Sequence, residues 1–154
     1  MYPTVSAVGY ELIPEVLQHA RELAESLRVD SRVSLRCEDV RDVRVEGEFD
    51  TLLWSQMFFP PESRKATLKA IRRSLRPGGY LIMPLLADMP QAGKVDTGVA
   101  TRMRMLVSVA YNRWGLYWPR AESVRREAEG YGFVHMHSLP HPRTPFLVMQ
   151  LPAK

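Results

Sequence analysis

One cysteine, Cys37, in 154 residues leaves no partner for an internal disulfide, and the chain reads as a protein of a reducing, cytoplasmic compartment. No apolar run approaches the roughly 20 residues that cross a bilayer. Met1-Tyr2-Pro3-Thr4 carries no basic n-region, so neither a membrane partner nor a secretory signal is expected. Consecutive basic residues are also missing as a block, although charge is unevenly placed: residues 1–50 balance to −5 and residues 51–154 to +9. Such asymmetry admits a polyanionic partner. Without interleaved aromatic and basic residues in a recognisable module, nucleic acid is not the expected one. No G-x-S-x-G elbow surrounds Ser6, Ser55 or Ser108, which argues against a hydrolase. The internal G-x-G, Gly130-Tyr131-Gly132, follows a helical pattern and precedes a strand, the wrong order for a cofactor turn. His135 and His137, with His141 nearby, have no cysteine or carboxylate close in sequence to complete a shell, so no metal is expected.

What is present is ordinary in bulk and specific in order. Hydrophobic residues are 45% and charged residues 25%, the balance of one globular domain long enough to bury a core. The stretch from Phe49 to Pro84 organises the rest. Phe49 to Trp54 is an apolar run too short for a helix and reads as a buried strand. An aromatic and proline-rich loop follows, then a helical pattern with Leu68, Ile71 and Leu75 on one face. Arg76-Pro77-Gly78-Gly79 stops that helix, and Tyr80 to Met83 reads as a second strand. Strand, crossover helix and strand make the unit of a parallel sheet. Ligands of such sheets bind at the carboxyl ends of strands, here near Ser55 and Gln56.

Upstream, Thr4 to Tyr10 leans to β. Pro14 suits a first helical position, and Val16, Leu17, Ala20, Leu23, Ala24 and Leu27 keep helical spacing. Arg32 to Cys37 alternates as a strand, with Cys37 read as a buried thiol. Downstream, Leu85 to Asp96 reads as a loop. From about Gly98 a helix carries Met103, Leu106, Val107, Ala110, Tyr111 and Trp114 as a core-facing stripe, ending at Gly115. A short helix runs from Pro119 to about Glu129. Phe133 to Leu139 and Pro145 to Leu151 are strands whose short link allows only antiparallel pairing.

Two acids follow two successive strands, Glu11 and Asp39. A carboxylate there can accept both hydroxyl hydrogens of a ribose; equally, both residues can be solvated loop acids or helix caps. V-G-Y-E-L-I-P-E-V-L-Q-H-A-R, R-V-S-L-R-C-E-D-V, E-F-D-T-L-L-W-S-Q and L-R-P-G-G-Y-L-I-M, in that order, resemble the class I S-adenosylmethionine-dependent methyltransferases. The resemblance covers nearly the whole chain, residues 1–154 being read as a single methyltransferase-like domain. It implies an α/β, Rossmann-like sheet, mostly parallel with a C-terminal antiparallel hairpin. It starts at the family's second strand, so the first strand and helix, with the D-x-G-x-G turn, are expected to be lacking, and the chain to be N-terminally truncated. Two inner sheet edges would then be left unpaired and open to oligomerisation.

The resemblance further implies S-adenosylmethionine as cofactor and methyl transfer to a small-molecule acceptor. Glu11 would take the ribose hydroxyls, Asp39 the adenine amino group and the Val40 N–H the adenine ring, with Ser55 and Gln56 lining the pocket beside the methyl donor. Met57, Phe58 and Phe59 would face the ring or the substrate, and Trp114 and Trp118 would contact the acceptor. No catalytic residue is singled out: the rate of such in-line transfer comes mostly from positioning and water exclusion, and a base is needed only where the acceptor loses a proton. Because the glycine turn is lacking, catalytic competence of the chain is itself in question. Two alternatives stand beside this reading, a non-catalytic remnant that binds a partner and an RNA methyltransferase.

Overall fold

The computed structural model describes residues 4–85, 98–116, 119–140 and 145–153, with the side chains of residues 100 and 104 left aside. The expected loop from Leu85 to Asp96 therefore lies mostly outside the described residues, as do Trp118 and His141. The chain divides into two compact units, Met1–Arg44 and Val45–Lys154, and each has its own sheet.

The first unit is a parallel β–α–β element. Strand β1 (Ala7–Glu11) leads through Leu12 and Ile13 into helix α1 (Pro14–Ser26), and a single 3₁₀ turn at Asp30–Arg32 leads into β2 (Val33–Cys37). Pro14 stands in the first turn of α1, where its missing N–H costs no helical bond. The strands pair in parallel from Ala7 opposite Val33 to Glu11 opposite Cys37, and α1 lies against them. Of the expected apolar stripe on α1, Leu17 and Ala24 are buried, whereas Val16, Leu23 and Leu27 are exposed. Cys37 is likewise exposed, a correction to the buried thiol expected from its place inside a strand. A two-stranded sheet gives a strand end too few neighbours to bury it.

The second unit opens with β3 (Phe49–Leu53), crosses over through α2 (Pro61–Ser74) and returns as β4 (Leu75–Pro84), parallel to β3. Helix α3 (Val99–Arg113) and α4 (Ala121–Glu129) follow, then the antiparallel pair β5 (Val134–Leu139) and β6 (Phe146–Gln150). The sheet order is β3-β4-β6-β5, with β6 antiparallel to both neighbours. Leu81 and Met83 on β4, Leu147 and Met149 on β6, Leu68 and Ile71 on α2, and Val124 and Ala128 on α4 are all buried in one apolar cluster. Local crowding fixes one residue type: a Cβ on Gly79 would stand 2.9 Å from the Arg76 carbonyl oxygen of the same strand and 3.1 Å from that of Asp50 on β3.

The mixed α/β architecture and the C-terminal hairpin are as expected from the sequence; the sheet itself is present as two sheets. Among the described residues β1 pairs only with β2, and β3 only with β4. Helix α3 departs from expectation. Met103, Leu106 and Trp114 are 56%, 65% and 72% exposed and Val107, Ala110 and Tyr111 half-buried, whereas Thr101 and Ser108 are the buried residues among those described. Apolar residues occur at so many angles around α3 that spacing singles out no unique face. Ser108 can turn inward because its hydroxyl donates to the Met105 carbonyl, a bond internal to the helix.

Candidate functional site

In the first unit, parallel register carries the two acids to one end of the sheet. Glu11 is the last residue of β1, opposite Cys37, and its carbonyl oxygen accepts the N–H of Glu38 at 3.2 Å. Asp39 thus follows β2 beside the point where Glu11 leaves β1. The Glu11 carboxylate folds back on its own turn: Oε1 accepts the N–H groups of Leu12 (2.8 Å) and Ile13 (3.0 Å). It thereby satisfies donors at the start of α1, and Oε2 takes part in neither bond. Asp39 is more heavily committed. The Arg41 guanidinium meets both of its oxygens, Nε at 2.9 Å from each, and the Arg41 N–H donates to Oδ1 at 2.9 Å. Hydrogen bonding from the Arg41 side chain holds the Asp39 carboxyl below its ordinary value of 3.8, against the opposing effect of its burial. Val40 is half-buried between these residues.

In the second unit, β3 ends at Leu53 and the chain turns through Trp54, Ser55 and a single 3₁₀ turn, Gln56–Phe58. Ser55 is half-buried. Gln56 and Met57 are 1% and 6% exposed, Phe58 is 66% exposed, and Phe59 stacks edge-on against Trp54 at 5.6 Å between centroids. The side chain that the turn presents outward is therefore that of Phe58. The Gln56 side chain is used within the unit: Nε2 donates to the Pro84 carbonyl at 3.4 Å, and Oε1 accepts from Arg64 Nη1 at 3.1 Å. That involvement of Arg64, 2% exposed on α2, escaped sequence reasoning. An arginine among lysines and arginines on a charged helix gives no sign that it points inward. Trp114, at the end of α3, lies beside Tyr111 with ring centroids 5.8 Å apart.

Two concavities lie elsewhere. One of about 120 Å³ is lined by Arg21, Ala24, Asp30 and Leu35, among others, and a shallow groove of about 700 Å³ by Lys69, Arg72, Arg73 and Tyr131, among others. Neither takes in Glu11, Asp39, Ser55 or Gln56. Among the described residues no group of three or more histidines, cysteines or carboxylates comes together. His135 pairs with Ser138 Oγ at 3.1 Å, and a register shift separates it from His137.

Chemically, the first unit offers an uncommitted carboxylate oxygen and a fixed carboxylate at the carboxyl end of parallel strands. Both are hydrogen-bond acceptors, which suit ligand donors such as vicinal hydroxyls or an amino group. Comparisons with known proteins point the same way. A family profile described as methyltransferase domain matches residues 1–79, just over half of the chain. Carboxy-S-adenosyl-L-methionine synthase of Actinobacillus succinogenes is 30% identical over 82 residues, 53% of this chain and 34% of that protein. The chain thus spans about a third of the length of such a curated relative. Among solved structures, the mitomycin 7-O-methyltransferase is similar with a TM-score of 0.76 at 18% identity, over 97% of this chain and 43% of that one. The 1,6-didemethyltoxoflavin-N1-methyltransferase of Burkholderia thailandensis, with bound 1,6-didemethyltoxoflavin and S-adenosylhomocysteine, has a TM-score of 0.63 at 20% identity. It is matched over 94% of this chain and 60% of its own.

Proposed function

The chain belongs to the class I S-adenosylmethionine-dependent methyltransferase family, and from that premise we propose that it transfers the methyl group of S-adenosylmethionine to a small-molecule acceptor. The observation that supports this reading is the β1–β2 register, which pairs Glu11 with Cys37, so that Glu11 closes β1 and Asp39 follows two residues past the end of the parallel β2. In this reading residues 1–154 act as one methyltransferase-like domain. Glu11 Oε2 accepts from the ribose hydroxyls while Oε1 stays on the turn before α1. Asp39, kept ionised by Arg41, takes the adenine amino group, and the Val40 N–H meets the ring. Ser55 borders the methyl donor. Phe58, the outward side chain of its turn, and Trp114 offer apolar surface to the acceptor. Met57 and Phe59, buried and stacked on Trp54 respectively, shape that wall from behind; contact of Trp118, outside the described residues, with the acceptor is proposed from the sequence alone. When bound, the cofactor supplies a sulfonium methyl that a nucleophile attacks in line; the residues hold the two reactants in place and keep water out.

A second reading is favoured by one observation, the similarity of 82 residues of the chain to a carboxy-S-adenosyl-L-methionine synthase: the chain modifies the cofactor itself. Incubation with methyl-labelled S-adenosylmethionine, a small-molecule cell extract and purified RNA separates the possibilities. Label appearing on a small molecule, together with S-adenosylhomocysteine, is the expected outcome. Label on RNA points to an RNA methyltransferase, and a heavier, carboxylated cofactor points to the second reading. Absence of any turnover favours a non-catalytic remnant.

A further inference from the structure

The buried guanidinium of Arg64 on α2 reaches two other elements, the turn after β3 and α4. Its Nε lies 3.0 Å from both carboxylate oxygens of Glu127 on α4, and Nη2 reaches Oε2 at 2.6 Å. Its Nη1 donates to the Gln56 carbonyl oxygen at 2.7 Å and to Gln56 Oε1 at 3.1 Å. The same guanidinium lies 4.8 Å from the ring centre of Trp54. Gln56 passes the constraint on, since its Nε2 donates to Pro84 at the end of β4. One side chain on α2 thus ties the residues just after β3 to α4 and, through Gln56, to β4. The turn's own backbone bonds are short-range and few: Gln56 N–H to Trp54 O, Phe58 N–H to Ser55 O and Phe59 N–H to Gln56 O.

Stability alone gives little reason for such a pair. Burying the Arg64 guanidinium is costly even with the Glu127 carboxylate, 30% exposed, beside it, and apolar replacements of such pairs are often neutral or stabilising. Arginine does here what apolar side chains cannot. Its planar fork grips a carboxylate with one edge and a carbonyl with the other, so it fixes direction as well as distance. The fixed object is the Ser55–Phe58 turn.

We propose that Arg64, braced by Glu127, is the positioning residue for the wall of the cofactor site formed by the Ser55–Phe58 turn, and that Gln56 serves this wall from behind without touching the cofactor. The proposal rests on the functional reading above and assigns to Gln56 a different task from the pocket-lining one the sequence implies. Phe58 can stay on the outside because Gln56, at 1% exposure, turns the other way into the Arg64 network.

The test compares the wild-type chain with Arg64→Met/Glu127→Leu, with Gln56→Met and with the triple variant. It reads thermal midpoint, amide hydrogen exchange by residue, and affinity for S-adenosylhomocysteine. The apolar double variant is expected to keep its thermal midpoint. It should lose at least tenfold in exchange protection at Phe58 and Phe59, with Trp54, whose N–H donates to the Ile82 carbonyl on β4, unchanged. S-adenosylhomocysteine affinity should fall about tenfold. Gln56→Met should behave alike and the triple variant no worse, because the residues act in series. Unchanged protection at Phe58 and Phe59, or protection lost evenly across the second unit, would overturn the clamp. Additive losses of affinity would overturn the assignment of Gln56 and place it in contact with the cofactor. If the wild-type chain binds no S-adenosylhomocysteine, the functional reading fails together with the cofactor half of this proposal, and exchange at Phe58 and Phe59 still decides whether Arg64 orders the turn.

Discussion

Glu11 shows how one carboxylate can serve structure and ligand together. Its Oε1 satisfies two N–H groups ahead of α1, and in the proposed function Oε2 takes a hydroxyl. Glu11→Gln keeps an oxygen for the turn but removes the charge. It is expected to lower the thermal midpoint by no more than a few degrees, since the turn keeps its acceptor and only a charge near the N-terminus of α1 is lost, about 0.3–1 kcal/mol. It should weaken S-adenosylhomocysteine binding about tenfold, the loss of one charge-assisted bond; unchanged affinity in a calorimetric titration would remove Glu11 from the site. Asp39 is a matter of pH. Its folded pKa lies below the unfolded one because of the Arg41 bond. The pair therefore supports folding above about pH 4, and that support fades as pH falls through the lowered folded value. Arg41→Ala should raise the Asp39 titration midpoint, read by NMR at its carboxyl carbon, and an unmoved midpoint would contradict the assigned cause. Gly79 is constrained by backbone on two sides. Gly79→Ala should cost about 1–3 kcal/mol in urea unfolding, and a cost near zero would mean that β3 and β4 separate freely at that point.

At the scale of elements, sequence patterns located nearly every boundary that carries a physical punctuation mark. Pro14 opens α1. Arg76-Pro77-Gly78-Gly79 lies just past the end of α2, although the structure already counts Leu75 as strand. Gly115 and Gly132, with φ of 73° and 86°, close the segments after α3 and α4. Patterns failed where burial depends on what lies opposite. A stripe on α1 or α3 says which residues could share a face; it cannot say whether another element covers them. The acids at strand ends were legible, because strand order alone places them. Arg64 and Glu127 were not, since residues 63 positions apart meet only after the fold has formed. The contrast in cover makes a prediction. Leu68→Ala on α2 or Leu81→Ala on β4, both fully buried, should each cost about 2–5 kcal/mol, whereas Leu106→Ser on α3 should stay within about 0.5 kcal/mol. Equal losses in chemical denaturation would mean that the outer face of α3 is covered in solution.

At the scale of the molecule, membership in a methyltransferase family and the presence of the acid pair in the first unit converge on one cofactor. Fold similarity at 18–20% identity speaks to architecture, so the cofactor rests on the family match, and the roles of Glu11 and Asp39 are part of the proposed function. The most direct test is a thermal unfolding scan of the 154-residue chain with and without S-adenosylhomocysteine, paired with a calorimetric titration. A ligand at 100 times its Kd stabilises by about 2.7 kcal/mol, which raises the midpoint of a chain this size by roughly 5–10 °C. The account predicts a rise of that order that Glu11→Gln diminishes. No rise and no heat of binding at about millimolar ligand, a concentration that leaves only affinities weaker than about −4.1 kcal/mol undetected, would contradict it.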